Sequence, residues 1–250
     1  MSSAASSPVN ASSTSSTVTA GIDFRKAPTF FLLRRAQSLA GIIFGLYLMV
    51  HLLVNATLIQ GAPAAGEPTV YQVQVDKIHS LPFLLGIELT AIFLPLLIHT
   101  LYGIYVIVQG KPNSIQYGYI KNWFYTMQRV TAVLLVAFIF FHVGAMYGWF
   151  GSGLKFNHHD ASNSAIHHLH SSFLLWGLIY PIGILCATFH LANGFWTGAI
   201  SWGLTVSAKA QNRWGWVCLA IFLFTTLCGF LALLGTFTYH PLPAVVGTGL

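Results

Sequence analysis

The sequence predicts an all-α membrane protein with five transmembrane helices. Charged residues make up 6% of the 250-residue chain and hydrophobic residues 55%. A soluble domain carries about 25% charge, so lipid must cover a surface this poor in it. Five long apolar runs supply the helices, and none alternates polar and apolar residues as a barrel strand would.

The first twenty residues are mostly Ser, Ala and Thr. They lack the basic start and apolar stretch of a signal peptide and cannot bury a core. Residues 1–29 therefore read as a disordered cytoplasmic tail, 30–240 as the five-helix transmembrane domain and 241–250 as an outer tail. The apolar runs lie at about 36–60, 83–109, 127–150, 171–205 and 214–237, each near the twenty residues that cross a bilayer. The fourth is too long for a straight crossing and must tilt or extend into water.

The net charge of +6 forms no stripe and gives no nucleic-acid signal, because the basic residues flank the apolar runs. Arg25, Lys26, Arg34, Arg35, Lys111, Lys121, Arg129, Lys209 and Arg213 fall on one side, and Lys77 and Lys155 on the other. The bias puts the N-terminus in the cytoplasm and the C-terminus outside. Cys186, Cys218 and Cys228 lie in apolar runs without a C-x-x-C pattern, which argues against iron–sulphur clusters, covalent haem and disulfides. Trp149, Trp176, Trp202, Trp214 and Tyr147 read as interfacial belt residues.

Histidines carry the chemistry. There are eleven. His158, His159, His167, His168 and His170 crowd the loop before the fourth run and read as a solvated loop, with a weak metal site as the alternative. His79 and His240 lie at or beyond the outer boundary. His51, His99, His142 and His190 fall one each in the first four runs. Polar side chains within lipid are costly, and four on four helices suit two bis-histidine metal centres inside a bundle. Neutral imidazole is a common ligand of haem iron, so helices 1–4 are expected to surround two b haems. His51 lies nine residues before Gln60 and His142 eight before Phe150, near the outer ends; His99 lies ten before Gln109, near the inner end. These offsets are roughly 12–15 Å. His51 and His142 then form the outer pair. His190 has an ambiguous depth in the over-long fourth run and joins His99 by elimination.

Short words along the chain point to a family. They include Arg34-Arg35-Ala36-Gln37-Ser38-Leu39, His51-Leu52-Leu53-Val54-Asn55, Ser80-Leu81-Pro82-Phe83 and Pro95-Leu96-Leu97-Ile98-His99. Gln128-Arg129-Val130-Thr131, His142-Val143 and Phe189-His190-Leu191-Ala192-Asn193-Gly194-Phe195-Trp196 follow. In order and spacing they resemble the cytochrome b membrane-anchor subunit of succinate dehydrogenase and fumarate reductase, in its single-chain, five-helix, di-haem form. The resemblance spans about residues 30 to 235. It implies His51 with His142 on the outer haem b and His99 with His190 on the inner. It also implies a flavoprotein subunit holding FAD and an iron–sulphur subunit on the cytoplasmic face and a membrane quinone (menaquinone in the two-haem form), and it leaves open whether the whole complex forms an oligomer. Position 37 is Gln where some relatives have His.

Quinone reduction needs protons, and Glu88 is the only acidic residue inside a run. It lies eleven residues outward of His99, about 16 Å along a helix, and is expected to transfer protons at a quinone site near the outer haem. Arg34, Arg35 and Arg129 are candidate partners of haem propionates or of the iron–sulphur subunit. Gln37, Ser38 and Asn55 are candidate hydrogen-bond partners of haem or quinone. Gly103, Gly144, Gly183 and Gly194 are candidates for admitting porphyrin or for close helix packing. The nearest rival is a haem b anchor of another respiratory enzyme, of the formate dehydrogenase or hydrogenase type. A rival from another class, a transporter, would need polar or broken helices at mid-membrane.

Overall fold

The structure, a computed structural model, describes residues 27–64, 66–110 and 115–238. The expected tails, together with Arg25, Lys26, Lys111 and His240, lie wholly or mostly outside these residues; of the first tail only 27–29 are described. Five helices are long and apolar enough to cross a membrane, with mean hydropathies of 1.6 to 2.6 over eighteen-residue windows. They are α1 (Ala27–Ala56), α3 (Leu84–Gln109), α4 (Ile120–Tyr147), α6 (Leu175–Ser201) and α7 (Ala208–Thr238). Two shorter helices, α2 (Val70–His79) and α5 (Ala161–His170), lie between them. No strand occurs among the described residues.

Helix ends depart from the sequence reading for local reasons. α1 starts at Ala27 rather than near 36, with Pro28 in its first turn, where a missing N–H costs nothing. The Arg34 and Arg35 guanidiniums lie over the Phe30 and Phe31 rings one turn back, both at 4.9 Å, so the helix runs through its charged residues. α4 starts at Ile120 rather than near 127 and ends at Tyr147 rather than Phe150. Gly148, at φ 81°, stops it by directing the Gly148 and Trp149 N–H groups back to the Ala145 and Gly144 carbonyls. The over-long fourth run, 171–205, narrows to the single helix α6: α5 ends before it at His170, the Ser172 hydroxyl accepts from Leu174 N–H where the chain enters α6, and the helix stops at Ser201.

Helices α3 and α6 share an irregularity. Each contains one π-helical turn, Leu89–Phe93 and Leu175–Ile179, followed by a proline, Pro95 and Pro181. Proline removes a backbone donor from the regular ladder, and π turns accompany functional positions often enough to mark both helices.

α1 packs along α3 and α7, and α6 packs along α7 and α4. Among the described residues no extended backbone contact joins α1 to α4 or α3 to α6. The fifth spanning helix therefore braces two helix pairs from one side. Between α6 and α7, the fully buried Thr188 hydroxyl meets Thr226 at 2.8 Å.

α2 and α5 cap one end. Thr69 caps α2 by accepting from Gln72 N–H and meets Ser162 of α5 at 2.5 Å. The Gln72 amide donates to the His158 carbonyl and accepts from Ala161 N–H. Below these bonds Leu58, Tyr71, Val75 and Ala161 form an apolar core, and burial pushes the Tyr71 phenol up to about 12. Lys77 and Lys155 lie at this capped end. The other six described basic residues belong to the opposite ends of the spans.

α7 seats against the end of α1 through Gly235. A Cβ there would stand 2.5 Å from the Ile59 nitrogen and 2.6 Å from the Leu58 carbonyl carbon, both backbone atoms that cannot swing away. Gly235→Ala is expected to cost about 1–3 kcal/mol by overpacking and to lower the thermal midpoint in detergent. Gly198→Ala, whose Cβ would meet nothing within 4 Å, is the control expected to leave it unchanged.

Candidate functional site

The four span histidines meet in two facing pairs. The rings of His51 on α1 and His142 on α4 have centroids 6.0 Å apart and planes 78° apart. The rings of His99 on α3 and His190 on α6 have centroids 6.1 Å apart and planes 90° apart. Each pair joins helices that make no extended contact of their own. His51 and His142 sit toward the capped end; His99 and His190 sit near the middle of their spans.

Three of the four rings are held by their Nδ1 atoms. His99 donates to the Gln37 carbonyl at 3.0 Å and lies on Gly41, where a Cβ would stand 2.5 Å from Nδ1. Gln37 and Gly41 are one turn apart on α1, so a side-chain-free patch of that helix admits the ring to a backbone acceptor. His190 donates to the Thr131 hydroxyl at 3.3 Å, and Thr131 passes its own proton to the Met127 carbonyl at 2.7 Å. The Gln128 amide donates to the His190 carbonyl and accepts from the Asn193 amide, clasping α4 to α6. His142 meets the Tyr180 hydroxyl at 3.0 Å and stacks on Phe138, which occupies the space beside Gly183. His51 lies beside Tyr47 at 5.7 Å between centroids. A histidine whose Nδ1 is engaged presents Nε2 outward as a ligand.

The other candidates are more scattered. Glu88 is half-buried just before the π turn of α3 and interacts electrostatically with Tyr47 of α1, one turn before His51. The Arg35 guanidinium lies 4.7 Å from the Trp202 ring centre as well as over Phe31. Ser38 accepts from Trp202 Nε1 at 2.9 Å. Asn55 donates to the His51 carbonyl at 2.7 Å. Gln37 contributes its carbonyl. Arg129 lies 3.4 Å over the Tyr125 ring and donates to the Tyr125 carbonyl; its buried Nε and the Tyr102 hydroxyl have no hydrogen-bond partner among the described residues. Gly144 and Gly183 face aromatic rings of the protein, while Gly103 and Gly194 face the Gln37 and Gln128 amides.

The expected solvated histidine loop is only partly one. His158 and His159 lie in a short 3-10 turn, and His167, His168 and His170 ride on α5. His168 turns inward, is 3% exposed, and brings Nε2 within 2.7 Å of the Tyr180 hydroxyl. It does so because α5 docks through its neighbour Leu169 against Ile184 and Leu233. Burial pushes the His168 imidazole below the ordinary histidine range; the Leu154 carbonyl opposes this and His167 adds to it. His79 and His158 stack at 4.4 Å, but among the described residues no three His, Cys, Asp or Glu side chains converge to hold an ion. Tyr180, Thr131, Gly41 and His168 are the contributors that sequence reasoning missed. The first three carry no charge and no distinctive spacing. His168 was hidden among its four surface neighbours.

The chain is similar to the succinate dehydrogenase cytochrome b558 subunit of Bacillus subtilis (strain 168). The two are 34% identical over 204 residues, spanning 81% of this chain and 95% of that protein. No protein-family model matches the chain.

The burial of His168 predicts a reactivity pattern. In membranes treated with diethylpyrocarbonate at neutral pH, the exposed His79, His159, His167 and His170 are expected to be modified and His168 to be spared, as read by peptide mass spectrometry.

Proposed function

Because the chain belongs to the family of succinate dehydrogenase cytochrome b558 subunits, we propose that it is the di-haem membrane anchor of a succinate:quinone oxidoreductase, passing electrons between an iron–sulphur subunit and membrane quinone. The observation that carries this reading is the facing histidine pair, repeated at two depths. Two imidazoles are too few for a bare ion such as zinc, which takes four ligands. They suit a metal whose remaining positions are already filled, as in haem. A metal–imidazole bond of about 2 Å on each side sets opposed ring centroids about 6 Å apart, in keeping with the 6.0 and 6.1 Å here.

Haem b bound at each pair would supply a reversible one-electron couple. The protein's part is to hold and orient it. His51 and His142 would ligate the outer haem iron, and His99 and His190 the inner. The Gln37 carbonyl and Thr131 hydroxyl fix the inner rings with Nε2 free. The Tyr102 hydroxyl and Arg129 Nε, three residues from His99 and two from Thr131 and without partners among the described residues, are donors suited to propionate carboxylates. Ser38 and Asn55 already have protein partners, so they act by seating Trp202 and the His51 turn. Glu88 would exchange protons with quinone, menaquinone by class, beside the outer pair. Its electrostatic influence on Tyr47 of α1, one turn before His51, supports that side.

The asymmetry of basic residues supports a cytoplasmic N-terminus and an outer, capped end. The flavoprotein and iron–sulphur subunits would then dock where Arg34, Arg35, Lys121, Lys209 and Arg213 gather. The division into a tail, a domain over 30–240 and an outer tail belongs to the same proposal.

The reduced-minus-oxidised spectrum of the purified complex, with a pyridine haemochrome count, tests the reading. Two b haems per chain are expected, falling to one in His51→Ala or His142→Ala. A folded, haem-supplied protein without haem would sink the proposal. Glu88→Gln is expected to keep both haems and to slow quinone turnover roughly 10²-fold or more, the usual loss for a proton-transfer group; unchanged turnover would remove Glu88 from the site.

A further inference from the structure

The histidine facing His51 is held unlike the others. His99 and His190 donate to acceptors whose strength their helices fix: a backbone carbonyl, and a threonine hydroxyl whose proton goes to a backbone carbonyl. The acceptor for His142 is Tyr180, and the same hydroxyl lies 2.7 Å from Nε2 of His168 on the capping helix α5. We propose that Tyr180 and His168 form a positioning relay that orients His142 and lowers the potential of the outer haem. The inference rests on the di-haem reading above.

Chemistry sets the order of donors. Iron at His142 Nε2 requires the proton on Nδ1, so Nδ1–H donates to the Tyr180 oxygen. The Tyr180 hydroxyl then directs its own proton to His168 Nε2, whose lone pair is available because burial keeps that ring neutral. A neutral His168 accepting at Nε2 carries its proton on Nδ1. The Leu154 carbonyl favours a proton on the ring, in keeping with that tautomer.

Consecutive hydrogen bonds polarise one another. A tyrosine that donates to His168 is a stronger acceptor for His142 Nδ1–H, and a stronger second-shell acceptor raises the basicity of the ligating nitrogen. A more basic ligand stabilises ferric over ferrous iron, so the relay holds the outer couple low. The surroundings keep the relay in place. Phe138 meets Tyr180 edge-on at 5.4 Å and stacks on His142, while Leu169 and Ile184 anchor α5 beside it.

Redox titration of the purified complex, followed in the haem α band, tests the relay in Tyr180→Phe, His168→Phe and His168→Gln. Tyr180→Phe is expected to retain two haems by pyridine haemochrome and to raise the midpoint of one, leaving the other unmoved. His168→Phe should shift the same haem the same way by less. His168→Gln, whose amide oxygen still accepts from Tyr180, should restore most of the wild-type value. Two haems with both midpoints unmoved in Tyr180→Phe would overturn the relay while leaving the di-haem reading intact; fewer than two haems in the unmodified chain would instead sink that reading. If Tyr180→Phe sheds a haem, the His168 pair decides: an upward shift in His168→Phe reversed in His168→Gln supports the relay, and no shift overturns it.

Discussion

An imidazole inside a membrane has two ring nitrogens, and hydrocarbon can satisfy neither. Leaving a buried polar group unpaired costs about 1–3 kcal/mol, so four such rings need a structural answer. The Nδ1 atoms of three of them are engaged within the protein, by a carbonyl, a threonine and a tyrosine. That leaves their Nε2 atoms to be used in the space between facing rings. Much of the architecture follows from supplying those partners. Gly41 opens α1 to His99, Gln128 and Asn193 tie α4 to α6 around His190, and a helix outside the spans docks deeply enough to reach Tyr180.

The same demand accounts for the helix arrangement. Paired histidines sit on α1 with α4 and on α3 with α6, combinations without extended contact among the described residues. Close packing is confined to α1 with α3 and α7 and to α6 with α4 and α7, where glycines and threonines let backbones approach. α7 carries no histidine and supplies bracing. Thr226 meets Thr188 near its middle, and Gly235 takes the end of α1 at its tip.

Much of this was legible in the sequence. Five apolar runs, one histidine in each of four, and the sign of the flanking charge are properties of composition and spacing, and they give the number of spans. The depths of His51 and His142 put them at one level, and their rings do face each other at 6.0 Å even though α4 stops three residues sooner than expected. Helix ends were less legible, because cation–π stacking carries α1 through its arginines and a left-handed glycine cuts α4 short. The cap was not foreseen at all. α2 and α5 are too short and too polar to stand out, and they exist because Thr69, Gln72 and Ser162 bind each other across some ninety residues of chain. Tyr180 and His168 escaped for the same reason: nothing local marks a contact between a loop histidine and a span tyrosine.

The π turn in α3 also alters how that helix is to be drawn. Residues eleven apart on an unbroken α-helix differ by only about 20° in azimuth, so a helical wheel puts Glu88 on the face of His99. One π turn takes up an extra residue and swings the segment before it by about 100°, leaving the two roughly 80° apart. The wheel is thus correct on either side of Leu89–Phe93 and false across it. Glu88, the only carboxylate within a span among the described residues, lies off the azimuth of its own helix's histidine and acts electrostatically on Tyr47, one turn from His51. By phase as well as by depth, the acid on α3 lies nearer His51 of α1 than His99 of its own helix.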